Sequence, residues 1–155
     1  MRTYKLKKLN ACPDAIEWAK TQKSFKVAWE NCERGDWMLW LAQKLDVDDR
    51  KLTLAKALCA KQVEHLMKDK RSTDALEACF RYAKGEITRE ELDKFANDAH
   101  TAYASDADAY AAASYAAYAA ADASDASYFY ARLESLKRSA DICREILTKE
   151  VLEKY

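Results

Sequence analysis

Glycine and proline are almost missing: two glycines and one proline occur in 155 residues. Sheet proteins rely on both residue types for tight turns, so their scarcity argues for helices joined by short polar links. Alternating β-branched runs of useful length are missing as well. The fold class expected is therefore all-α, a single-domain multi-helix bundle over residues 1–155, with residues 1–11 as an N-terminal lead-in. A chain of this length can bury a real core without a metal or disulfide. Net charge is absent too, since 26 Lys and Arg balance 26 Asp and Glu. That balance gives no reason to expect a nucleic-acid partner.

The five cysteines, Cys12, Cys32, Cys59, Cys79 and Cys143, form no CxxC pair, and neither His65 nor His100 stands at ligand spacing to them. Buried thiols in a reducing compartment are expected, with no metal and no cofactor. Neither histidine comes with a nucleophile at informative spacing, and Walker, Rossmann, HExxH and GxSxG arrangements are lacking. The lysines at the start are not followed by an apolar run, so no signal peptide is expected.

What the chain has in abundance is alanine. Residues 99–131 are about half alanine and contain no lysine, arginine, glutamate, glycine or proline. Alanine is the strongest helix former, so a long alanine-rich central helix or helix pair is expected, interrupted near Ser105-Asp106 or Ser124-Asp125. Methyl-faced helices let a neighbouring backbone come close, with tyrosine rings filling what remains. The aspartates in the stretch make a membrane span costly.

Local chemistry marks the other helices. Pro13 suits a first turn, Ser24 a cap for Phe25 to Cys32, and Gly35 a break. Asp36 is the natural cap for the apolar segment Trp37 to Ala42. A helix from about Arg50 to Met67 follows the polar link at Asp46 to Asp49. Ser72 or Thr73 should cap the next helix, which Gly85 stops. Thr88 and Glu91 have the capping-box spacing. Leu133, Leu136, Ala140, Cys143, Ile146 and Leu147 recur at helical spacing in a last helix from about Ser127 to Leu152.

Catalytic signals are weak. Glu33 and Asp36 lie near tryptophans with Arg34 beside them, as an acid/base pair could, although capping and a solvated ion pair explain them more simply. Trp37 and Trp40, three apart, share a helix face that is either core or an anchor for a protein partner. Asp106, Asp108, Asp122 and Asp125, with Tyr110 and Tyr118 among them, could form an acidic, tyrosine-bearing ridge that meets a basic protein.

These residues also carry a resemblance. Ala11-Cys12 with Ala15 and Trp18, Ala28-Trp29, Cys32, and above all the run from Arg34 through Gly35-Asp36-Trp37-Met38-Leu39-Trp40-Leu41 to Ala42 resemble the N-terminal signature of a family of immunity proteins from bacterial polymorphic toxin systems. The alanine-rich tract and Asp141-Ile142-Cys143-Arg144 are similar to the rest of that family. The resemblance implies a small helical, cytoplasmic protein that binds and neutralises a toxin or effector, and it implies no known catalytic mechanism; a non-enzymatic inhibitor is the reading expected. It assigns no toxin-binding residue. Two other readings stay open: a small enzyme with a carboxylate site near Trp37, and a structural module that self-associates into homo-oligomers through its alanine-rich helices.

Overall fold

The computed structural model describes residues 2–67, 69–102 and 125–155, and every described element is helical. In chain order these are α1 (Tyr4–Lys8), α2 (Pro13–Lys20), α3 (Phe25–Asn31), α4 (Gly35–Lys44), α5 (Asp49–Lys61), a 3-10 turn (Glu64–Leu66), α6 (Lys70–Lys84), α7 (Arg89–Ala102) and α8 (Asp125–Lys154). The all-α bundle expected from the scarcity of glycine and proline is what is observed. Of the alanine-rich helix or helix pair expected over residues 99–131, residues 99–102 end α7 and residues 125–131 begin α8, while residues 103–124, with the interruption expected near Ser105-Asp106, lie outside the described residues.

Helix α8 is the post on which the others lean. Ala140, Cys143, Leu147 and Val151 recur at three- and four-residue spacing and are wholly buried. Against them pack α4 and α5, with α3 alongside; α6 packs on α5, and α7 on α6. The main core joins Trp29, Met38, Leu39, Ala42, Leu52 and Cys59 to the α8 stripe. A smaller apolar cluster of Ala78, Tyr82, Ile87 and Leu92 closes the α6–α7 hairpin. Burying each large apolar side chain contributes about 1.5–3 kcal/mol before entropy is counted.

With so little glycine, other residues end helices. Asn10 (φ 61°) and Asp46 (φ 53°) take the left-handed conformation that Gly85 (φ 81°) takes after α6. The hydrogen bonds are the same at all three sites. Asn10 N donates to Lys7 O and Ala11 N to Leu6 O; Asp46 N donates to Gln43 O and Val47 N to Ala42 O; Gly85 N donates to Tyr82 O and Glu86 N to Arg81 O. Asn and Asp tolerate this conformation better than other side chains do, so they can replace glycine as helix stops.

Several local expectations are met. Ser24 Oγ accepts from Val27 N at 3.2 Å, Pro13 opens α2, and Thr88 and Glu91 cap α7 reciprocally, at 2.8 Å and 3.2 Å. The lead-in over residues 1–11 is helical at residues 4–8, with Leu6 in the core and Lys5 Nζ donating to Lys154 O and Tyr155 O, each at 2.7 Å. Others need correction. The helix expected over 50–67 ends at Lys61: Gln62 reaches across to Ser139 on α8, and the chain tightens into the 3-10 turn. Asp69, not Ser72 or Thr73, caps α6, since its carboxylate accepts from Arg71 N at 2.8 Å while the Thr73 hydroxyl donates back to Lys70 O.

Candidate functional site

Gly35 does not break a helix; it starts one. A Cβ at residue 35 would lie 2.4 Å from Ser139 Cβ and 2.7 Å from Ala140 N, so only glycine lets the first turn of α4 rest on the α8 backbone. Cys143 Sγ donates weakly to Gly35 O at 3.9 Å, and Arg144 Nη1 donates to Cys32 O at 2.7 Å. Arg144 thereby satisfies a carbonyl at the end of α3. The stretch around Gly35 and the stretch Asp141 to Arg144, far apart in sequence, therefore meet in space.

This contact aims α4. Met38, Leu39 and Ala42 point into the core, while Trp37 and Trp40 stay half-buried on the side facing α2 and α3. Asp36 is not the cap expected of it. Its two carboxylate oxygens accept from Arg34 Nε at 2.8 Å and Arg34 Nη2 at 2.5 Å. As a first-turn acid it still complements the positive end of α4. The guanidinium also covers the Trp37 ring, 4.2 Å from its centroid, and Trp18 from α2 meets Trp37 at 6.0 Å and 58°. The Asp36 hydrogen bonds hold the Arg34 pKa above its ordinary value.

These side chains wall an open concavity of about 400 Å³ between α1, α2, α3 and α4. All four tryptophans of the chain, Trp18, Trp29, Trp37 and Trp40, line it. Trp29 forms part of the floor, held by a 2.8 Å bond from Nε1 to Thr148 Oγ1. Phe25, Met38 and Leu41 add apolar surface, and the Arg34–Asp36 pair supplies a polar end. Cys12, exposed, and Cys32, buried, both border the space; burial pushes the Cys32 thiol up. The expectation of uniformly buried thiols thus fails at Cys12, which sits on the link before Pro13.

Of the residues singled out from sequence, Arg34, Asp36, Trp37 and Trp40 come together here. Glu33 does not join them: it is exposed and pairs with Lys137 at 3.5 Å. Asp106, Asp108, Tyr110, Tyr118 and Asp122 lie outside the described residues, and Asp125 opens α8 with its side chain outside them too. His65 is exposed. Trp18 and Trp29 enter the sequence reading only through the resemblance, with no site role. The clue to their role is that all four tryptophans fall between residues 18 and 40.

Among the described residues no group of His, Cys, Asp and Glu could hold a metal, and no helix is long and apolar enough to cross a membrane. Comparison of the chain with protein-family models, with curated proteins and with solved structures gives no match.

Proposed function

We propose that this chain is a protein-binding inhibitor that neutralises a bacterial toxin or effector by covering its active surface, and that the tryptophan-lined concavity is its recognition site. The observation that carries the binding half of this reading is the convergence of all four tryptophans on one open recess. Tryptophans enclosed in a recess and shielded from water concentrate binding energy. The toxin half rests on the resemblance of the Arg34 to Ala42 run to immunity proteins. Glu33 and Asp36 are each tied to a cation, Lys137 and Arg34, which favours binding over acid/base chemistry at this place.

Co-expression tests the reading. Each gene neighbouring this one is induced in a host that its product poisons, with and without this chain. Restored growth, lost with Trp40→Ala, is the expected result. If no toxic neighbour is neutralised, the inhibitor reading fails.

A further inference from the structure

The Arg34–Asp36 pair at the polar end of the concavity is a neutral unit that faces incoming groups with both a donor and an acceptor. Arg34 commits Nε and Nη2 to Asp36, which leaves Nη1 to donate; each Asp36 oxygen accepts one of these bonds and keeps a lone pair. The two side chains are 35% and 23% exposed, so both remain within reach of a ligand. A carboxylate entering the recess would meet Asp36, and an ammonium would meet Arg34, so a ligand of either charge gains from one partner and loses to the other. An uncharged amide suits both: its C=O accepts from Arg34 and its N–H donates to Asp36.

The walls beside this pair specify the rest of the ligand. Trp18 and Trp37 already stand as a tilted aromatic pair, and Phe25, Met38 and Trp40 continue the apolar lining. A third ring entering there extends an edge-to-face arrangement, the geometry aromatic groups prefer. The volume of about 400 Å³ holds one large side chain together with its flanking peptide group.

We infer that the recess takes an uncharged peptide segment of the partner, burying one aromatic side chain against Trp18 and Trp37 while the adjoining amide bridges Arg34 and Asp36. This rests on the binding reading above and names the chemistry that the partner presents.

N-acetyl-L-phenylalaninamide is the probe. Every tryptophan of the chain lines the recess, so tryptophan emission, excited where phenylalanine is silent, reports its occupancy. A saturable change with this amide is expected, with N-acetylglycinamide and phenylacetate both weaker. Ala15→Phe, which plugs the recess from α2, should abolish the response. Asp36→Asn should weaken the amide by about three- to tenfold, the worth of one hydrogen bond. The inference is overturned if the wild-type chain shows no saturable response, if phenylacetate binds more tightly than the amide, or if both variants respond as the wild type does. Neutralisation of a toxin without binding of the amide would refute the aromatic anchor alone. Binding of the amide without neutralisation would leave the peptide site and remove the inhibitor.

Discussion

Gly35 and Ser139 touch so closely that α4 and α8 have no room for a side chain between their backbones. A methyl group at residue 35 would meet Ser139 Cβ at 2.4 Å and the Ser139 carbonyl carbon at 2.7 Å. Gly35→Ala must push the helices apart, and overpacking of this kind costs about 1–3 kcal/mol. The denaturation midpoint should fall accordingly, by about 2–4 °C per kcal/mol in a thermal scan. Ser139→Gly in the same chain removes one of the clashing atoms and leaves the backbone ones, so it should restore only part of the loss. Full stability in Gly35→Ala alone would show that the helices do not meet as described.

The five thiols should separate by burial. Cys12 is exposed and Cys79 half-buried, whereas Cys32, Cys59 and Cys143 are buried. A thiol reagent should modify Cys12 first, Cys79 more slowly, and the remaining three only as the chain unfolds. Equal rates at all five would contradict the packing. Burial raises the Cys32, Cys59, Cys79 and Cys143 thiols above the ordinary 9.0. Between the unfolded and folded values the native state holds protons that the unfolded state has lost, so stability falls as pH rises. It should hold up to about the ordinary thiol value and decline above it. Denaturant midpoints across an alkaline series, compared between wild type and Cys59→Ala, would show whether the slope is shallower without one such thiol.

Acid should release the α6 cap at Asp69. The side chain and backbone N–H of Arg71 hold its carboxyl down at about 2, against an ordinary 3.8. A depressed carboxyl contributes stability above its ordinary value and loses it as pH falls through the folded one. The α6 cap should therefore persist at pH 3 and fail near pH 2. Carboxyl carbon shifts followed through an acid titration give the midpoint directly; an ordinary value would mean that the cap is not formed.

What could be read from sequence, and what could not, divides by distance along the chain. Ser24, Gly85 and the Thr88–Glu91 pair act on backbone within three residues, so their neighbours suffice to identify them. Gly35 looks like a break because its reason is the α8 backbone, which no local pattern around residue 35 contains. Asp36 looks like a cap for the same reason in reverse: an acid before an apolar run is usually free, and here Arg34 has taken it. The recess needs four short helices to turn relative to one another. Trp37 and Trp40 were legible as one face of a helix, but the meeting of Trp37 with Trp18 depends on how the links at residues 21–24 and 32–34 turn α2, α3 and α4 against one another, which no local pattern specifies.

The most direct test of the recess as recognition site uses the chain labelled with nitrogen-15 only at tryptophan, titrated with the unlabelled toxin that co-expression identifies. The indole signals of Trp18, Trp37 and Trp40 should shift or broaden on binding, and Ala15→Phe should weaken the affinity by about 30-fold or more, as loss of a dominant anchor does. Saturation with toxin while those indole signals stay fixed, and equal affinity for Ala15→Phe, would place the interface elsewhere on the bundle.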